Sequence, residues 1–456
     1  ESVHQILREQ FQMNDALYIL SFLAKYLNLD AFWEDIIWHV CRENKDCFLG
    51  SMVEAQLEIY GTTPYKQKRM LHRNNVRNFM QTLNLPDDRI AEQERNKKRI
   101  VIVTEQLLSI MHAPTLITLE FAYILQEKMN YEVCIITCPL DYHLPFDLWV
   151  DPRYYYGGFE GVRDIPYKGV KIRNIGCSME DGSLERCSRM LHMIAAWKPW
   201  LVLELGVTNP LADLCREFTT TVAMAMTTEC PVSEADILIR YVPGTGAYEE
   251  ACKRELLPYQ KQIFMQEKLP VIAQEAEKEC VPDELGLPEG KFFVAVVGNR
   301  LDLEIDEAFL NIMKQIMDAA ENVDFAVIGD AEKLQEKLAG TSYGKRIHFL
   351  GYCMDLPGTY RALHLYLNPR RLGGGWSSAM ALMAGLPVVT LPACDVAYNV
   401  GGEFTVTTEE EMVDAVIRYA SDDVFYAQKK QIAIEKGRDG GEQKMLEYVT
   451  SLFTRI

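Results

Sequence analysis

The sequence has no long apolar run. Its longest apolar stretches, such as 199–205 and 292–297, are far shorter than the roughly 20 residues that cross a bilayer, so no membrane span is expected. No basic-then-apolar leader stands at its start, which is Glu1 rather than Met. It also lacks a basic surplus. Against 65 Asp and Glu stand 47 Lys and Arg, a net charge of -18, which argues against a nucleic-acid backbone or an anionic membrane as main partner. The 12 cysteines include no Cys-x-x-Cys pair and no metal-ligand spacing. Several, such as Cys134, sit inside apolar runs where Cys behaves as a small hydrophobe, and a reducing cytoplasm is the natural compartment. No Asp-x-Asp closes a strand-like segment, and no short-period repeat appears.

What is present is an ordinary globular composition, 48% hydrophobic and 25% charged, in a chain long enough for two or three domains. Residues 1–97 carry apolar side chains at helical spacing, as in Ala16, Ile19, Leu20 and Leu23, and read as an all-helical domain. From residue 98 the character changes to short β-branched runs alternating with helical patterns. Strands are expected at 99–104, 131–137, 170–175, 200–205, 220–226 and 237–241, with an amphipathic helix over 116–128. Such alternation implies right-handed βαβ units and a parallel sheet over 98–255. Residues 256–290, charged and interrupted by Pro270, Pro282 and Pro288, read as a mostly helical linker. A second alternating series fills 291–430, with strands at 291–297, 323–328, 346–350, 363–367 and 387–391, and a helix closes the chain over 431–456. Two basic runs, Lys66, Lys68, Arg69, Arg73 and Arg77, then Arg95, Lys97, Lys98 and Arg99, read as solvated helix and linker faces.

In open parallel sheets ligands bind beyond the carboxyl ends of the strands, so the loops after each strand matter most. In the second series these are Gly298-Asn-Arg-Leu, Gly351-Tyr-Cys-Met-Asp and Asn368-Pro-Arg-Arg-Leu-Gly-Gly-Gly-Trp-Ser-Ser. Gly373, Gly374 and Gly375 open a helix, which lets backbone amides and the helix dipole approach a phosphate. Ser377 and Ser378 bring first-turn hydroxyls, Arg370 and Arg371 bring permanent charge to the same loop, and Arg300 approaches from the neighbouring strand end. Trp376 either flanks a sugar face or packs on the sheet. In the first series, Glu105 and His112 follow the first strand. His112 reads equally as a general base and as a cap for the helix after Pro114. Glu229 and Asn209 are further candidates for the acceptor side, and Asn399-Val-Gly-Gly402 for a loop that closes on the sugar.

The stretch from His348-Phe-Leu-Gly-Tyr through LPGTYRALHLYLNPRRLGGGWSSAMALMAGLPVVTL resembles the donor-binding half of GT-B glycosyltransferases. The resemblance covers about 292–407 and extends to the first series in outline. It is similar in particular to enzymes of the O-GlcNAc transferase and adhesin N-glucosyltransferase kind. It implies an α/β fold of two Rossmann-like doubly wound domains facing a cleft, preceded by the helical domain. It implies a nucleoside diphosphate sugar as donor, of uridine, with the base near Tyr352 and the backbone of 351–354 and the diphosphate on Gly374, Gly375, Ser377 and Arg300. No metal or other cofactor is implied, because amides and cations take the leaving charge. The acceptor would be a protein or glycan, and the helical domain would recruit it, or an oligomeric or glycosyltransferase partner. Two positions depart from the pattern: retaining relatives carry glutamates where this chain has Leu372 and Met380. That departure opens the alternative of a degenerate GT-B subunit that binds or scaffolds an active glycosyltransferase.

Overall fold

The computed structural model describes residues 63–86, 89–105, 107–108, 112–138, 159–177, 184–206, 208–227, 229–240, 246–265, 278–371, 373–392, 394–438 and 440–456, with isolated positions including 47, 50, 51, 53 and 54. Most of the expected helical domain, 1–62, therefore lies outside the described residues, as does Leu372. The chain divides into two compact units, 1–267 with 449–456, and 268–448.

The first unit is built on an eight-stranded sheet in the order β3-β4-β2-β1-β5-β6-β7-β8. Its strands are β1 Asn96–Thr104, β2 Glu132–Thr137, β3 Gly161–Tyr167, β4 Val170–Gly176, β5 Pro199–Leu205, β6 Thr220–Met224, β7 Ile237–Arg240 and β8 Lys261–Phe264. All neighbours are parallel except β3 and β4. That hairpin was not expected. It turns on Lys168 (φ 46°) and Gly169 (φ 81°), the two positive-φ residues that match the twist of antiparallel strands. The expected helical character of 256–290 is also corrected: Lys261–Phe264 pairs with β7, and the described remainder is irregular apart from a short 3-10 turn, Pro282–Leu285. Four half-exposed residues are too few to show a period, so the open edge of β7 decides their conformation.

Helix α1, Tyr65–Thr82, packs on this unit, as do α2 Ala113–Tyr123, α3 Leu184–Trp197, α4 Pro210–Leu214 and α5 Gly246–Arg254. The expectation of an amphipathic helix over 116–128 fails. Nearly all of α2 is buried, and 124–128 continues as a π-helical turn. Buried Glu120 is matched by Tyr167 Oη at 2.6 Å and Lys168 Nζ at 2.8 Å, so the edge hairpin supplies the partners that a polar helix face would have found in water. In the basic run on α1, Lys66 and Arg77 are exposed as expected, but the other three members are buried or partly buried. Lys68 pairs with Glu229 at 3.1 Å, Arg73 with Glu255 at 3.3 Å, and the fully buried Arg69 donates to the Ser233 carbonyl and to Gln260 Oε1 at 3.0 Å. Near the chain end, Phe453 packs on Trp200 and Tyr131, whose rings stack at 5.9 Å.

The second unit holds a five-stranded, all-parallel sheet in the order β11-β10-β9-β12-β13. Its strands are β9 Phe292–Gly298, β10 Val323–Gly329, β11 Ile347–Gly351, β12 Leu365–Leu367 and β13 Val388–Val389. Successive strand side chains point to opposite faces, so Val294 and Val296 of β9 enter one apolar cluster and Phe293, Ala295 and Val297 the other. The first cluster includes Phe309, Met313 and Ile316 of α6, Glu307–Ala319; the second includes Tyr360, Met380 and Leu382, the last two on α7, Gly375–Met383. Burial on both faces is why these strands read as continuous apolar runs. Setting aside the β3–β4 hairpin at the edge of the first sheet, the parallel strand order in each sheet reverses direction once, between β1 and β5 and between β9 and β12. These are the switch points at which open α/β sheets leave a crevice for ligand.

Candidate functional site

At the switch point of the second sheet, β9 ends in Gly298 and β12 runs into Asn368-Pro-Arg-Arg. One side chain fastens the two together. Arg371 Nη1 meets Glu304 Oε2 at 2.5 Å, Nη2 donates to the Val297 carbonyl at 2.7 Å and to Tyr366 Oη at 2.9 Å, and Nε donates to Asn368 Oδ1 at 2.9 Å. Burial disfavours its charge, but Tyr366 and Glu304 outweigh that and hold the guanidinium above its usual range. The expectation that Arg371 offers charge to a phosphate is thus corrected: its side chain is 6% exposed and its donors are committed to the protein.

The glycines follow from this wedge. A Cβ on Gly298 would stand 2.5 Å from Arg371 Nη1, and one on Gly374 would stand 2.7 Å from Nη2. Gly374 also holds φ at 93°, in the region L side chains avoid, and is the N-cap of α7. Gly375 approaches Asn399, whose Nδ2 donates to the Gly375 carbonyl at 2.7 Å. Asn399 therefore fastens the helix Asp395–Val400 to the turn, where the sequence suggested a loop that closes on a sugar. Gly373 faces open space. Sequence reasoning missed Gly329 (φ 119°) at the end of β10, where a Cβ would collide with the Gly298 carbonyl.

Ser378 is also corrected, and Ser377 is held within the turn. Ser377 Oγ donates to the Gly374 carbonyl at 3.0 Å and lies 3.0 Å from Tyr366 Oη; Ser378 is buried and donates to the Gly375 carbonyl at 2.9 Å. First-turn hydroxyls bond back to the backbone, which leaves the amides at the start of α7, unmatched within the helix, as the donors that face outward. Trp376 packs against the apolar cluster beneath, and its indole Nε1 has no partner among the described residues. The cations left exposed are Arg300, 44% exposed and 3.4 Å from Glu304, and Arg370, 76% exposed and 3.1 Å from Glu409. Tyr352, just beyond β11, is 57% exposed.

In the first unit His112 sits at the N-cap position of α2, but its ring caps no backbone amide; Nδ1 lies 3.0 Å from Thr115 Oγ1. Burial pulls the imidazole down to about 4, so it is uncharged at neutral pH. Asn209 Oδ1 caps α4 by accepting from the amides of Leu211 and Ala212, while its buried Nδ2 has no partner among the described residues, and Glu229 pairs with Lys68. Among the described residues no group of three or more His, Cys, Asp or Glu side chains is arranged to hold a metal ion, and no helix is long and apolar enough to cross a membrane.

Among solved structures, a mutant O-GlcNAc transferase from Thermobaculum terrenum matches with a TM-score of 0.61 at 15% identity, over 100% of this chain and 92% of that one. The chain has the GT-B fold. An E. coli structure described as trehalose-6-phosphate bound with UDP-2-fluoro glucose matches with a TM-score of 0.56 at 9% identity, over 78% of this chain and 99% of that one. Anabaena HepE in complex with UDP and glucose matches with a TM-score of 0.54 at 12% identity, over 78% and 100%. Residues 293–422, a range within the second unit, match the family model described as glycosyl transferases group 1. No curated protein matches by sequence.

The first sheet of this GT-B chain carries a cluster that sequence reasoning overlooked. Glu204 on β5 pairs in register with Val103 on β1, at the switch point, two residues before Glu105. It is 2% exposed, and among the described residues its carboxyl oxygens lack a well-formed hydrogen bond, with Ser233 the nearest side-chain donor to favour its charge. Burial first, then neighbouring Asp213 and Glu105, push its carboxyl well above the usual range, while His72 opposes them. His72 on α1 lies wholly buried between Asp213 at 2.5 Å and Glu54 at 3.2 Å. Burial works against its charge, but Glu54 and Asp213 raise it well above the ordinary imidazole range. The one local sign was a carboxylate inside the apolar run Leu-Val-Leu-Glu-Leu.

Proposed function

We propose that this chain is a metal-independent glycosyltransferase that takes a UDP-linked sugar at the switch point of the second sheet and transfers the sugar to a protein or glycan acceptor. The observation that carries the reading is the turn 368–375. Arg371 wedges it open so that Gly374 can hold φ at 93° and the amides at the start of α7 meet the ends of β9 and β12. A rigid amide cradle of this kind stabilises a leaving diphosphate without a metal ion. In this reading the diphosphate lies on the amides of 374–377, Arg300 and Arg370 supply mobile positive charge, and the uracil ring lies by Tyr352. His112, neutral at pH 7, accepts the acceptor proton, and Glu105 assists. In this reading the protein works in a reducing, cytoplasmic setting, where its buried cysteines serve as small apolar core residues.

A second reading has its own observation. Met380 is 4% exposed and packs in the apolar cluster, so this position of α7 offers no carboxylate to ribose hydroxyls. The chain would then be a degenerate GT-B subunit that scaffolds an active glycosyltransferase, with the helical N-terminal region as its contact.

Thermal melting with UDP-glucose, UDP-N-acetylglucosamine, and guanosine and thymidine diphosphate sugars tests the first reading. A donor at 100 times its dissociation constant should add roughly 2.7 kcal/mol of stability, and Gly374→Ala should abolish the response. No response to any donor would sink it. Binding without donor turnover in the presence of acceptor peptides and glycans would leave the scaffold reading.

A further inference from the structure

In the second basic run of the sequence, from Arg95 to Arg99, Lys97 and Lys98 are exposed as expected, while Arg95 and Arg99 are partly buried. Arg99 pairs with Glu132 at 2.7 Å and lies over the Trp197 ring, Lys98 lies over Tyr131, and Lys97 stands 4.0 Å from Glu92. Arg95 differs. Its Nε donates to the Ile90 carbonyl at 3.1 Å and its Nη1 to Thr220 Oγ1 at 2.7 Å, which fixes the guanidinium while Nη2 has no partner among the described residues. Neither Arg95 nor nearby Arg89 has a carboxylate within ion-pair distance among the described residues, in a chain where acids outnumber bases by 65 to 47. The two cations are close enough to repel. After burial, the largest influence lowering Arg95 is the charge of Arg89, only partly offset by Glu92 and Asp236.

Both arginines line one cavity of about 520 Å³, whose wall also holds Ile90, Ala91, Trp200, Leu201, Thr220 and Ile456 and one side-chain carboxylate, Glu92, which forms no ion pair with either arginine. That volume lies within the range of small-molecule sites, roughly 300–1,000 Å³. Like charges are held together at a cost that a dianion removes, and a guanidinium fixed by the fold loses little entropy when it binds. The apolar part of the wall, which includes Ile90, Ala91 and Trp200, suits a small carbon body. The cavity lies where β1, β5 and β6 begin, at Asn96, Pro199 and Thr220. That is the opposite end of the sheet from the switch-point residues Glu105 and Glu204.

We propose that this cavity is an effector site for a small organic phosphate, whose dianion is shared by Arg89 and Arg95 and whose carbon skeleton lies on Ile90, Ala91 and Trp200. It is distinct from the donor turn and does not depend on the donor reading.

Titration calorimetry of the full chain with glycerol 3-phosphate, inorganic phosphate and glycerol, at matched ionic strength, tests it. Glycerol 3-phosphate is expected to bind saturably and more tightly than inorganic phosphate, with no binding of glycerol. Arg95→Gln and Arg89→Gln should each weaken binding about tenfold, the worth of one charge-assisted hydrogen bond. Arg89 is exposed and makes no hydrogen bond or ion pair among the described residues, so its variant should fold even if Arg95→Gln does not. Gly374→Ala should bind as the wild type does. Absence of saturable binding, equal affinity for inorganic phosphate, unchanged affinity in Arg89→Gln, or loss of binding in Gly374→Ala each overturns the proposal.

Discussion

Replacing Arg371 by methionine separates a ligand-binding arginine from a structural one. The substitution keeps most of the stem but removes the guanidinium, which leaves the Glu304 carboxylate, the Val297 carbonyl, Tyr366 Oη and Asn368 Oδ1 without their donor. Glu304 is 11% exposed on its side chain, with only the exposed Arg300 beside it at 3.4 Å. Removing one partner of a buried ion pair costs about 3–5 kcal/mol, because the other charge is left in a poor solvent. For a domain of this size 1 kcal/mol moves the melting point by about 2–4 °C, so the second unit should melt roughly 6–20 °C lower. Calorimetry without ligand reads this directly. Arg371→Lys should recover little, since one ammonium cannot reproduce three differently directed nitrogens. If Arg371→Met melts within 1 °C of the wild type and loses only donor affinity, the guanidinium serves the ligand and the wedge argument is wrong.

Two further outcomes concern the first unit. His72 and Glu204 both hold protons more tightly in the folded chain, so the folded state binds more protons than the unfolded one and stability should fall as pH rises. The His72 contribution is complete below about pH 6.5 and is lost as pH rises through its raised folded value; Glu204 acts in the same direction from about pH 4.5 upward. His72 faces Glu54 and Asp213, with Glu204 beside them, and urea midpoints between pH 5 and 9 should decline less steeply in His72→Gln or Glu204→Gln. An unchanged slope in both variants would contradict the buried proton count. His112 has the opposite sign. Its folded value near 4 lies below the unfolded value, so it favours folding above about pH 6.5 and loses that contribution as pH falls towards 4. If it is the base, His112→Ala should cut acceptor-dependent turnover by about 10²–10⁴ with donor affinity unchanged; equal turnover would remove it from the mechanism.

The sequence by itself determined what is local. β-branched runs separated by helical patterns gave both sheets, because a strand buried on both faces needs a continuous apolar run whatever its neighbours are. The triple-glycine turn was legible too, since a positive φ and close backbone approach restrict the residue type at the site itself. Only the tertiary structure decided the edges, β3 and β8, whose short, half-exposed segments take their conformation from an unpaired neighbour. It alone decided which polar side chains are free. Arg371, Ser377, Ser378, Asn209 and Glu229 carry groups suited to a ligand, yet each is committed to a protein partner, in some cases far away in sequence. Conversely, Glu204, His72 and the Arg89–Arg95 pair look ordinary in one dimension, and become distinctive once the fold buries a charge or leaves it without a counterion. A hydrogen-bonding group is as strong in sequence as in structure; whether water, another residue or a ligand satisfies it is a property of the packed chain.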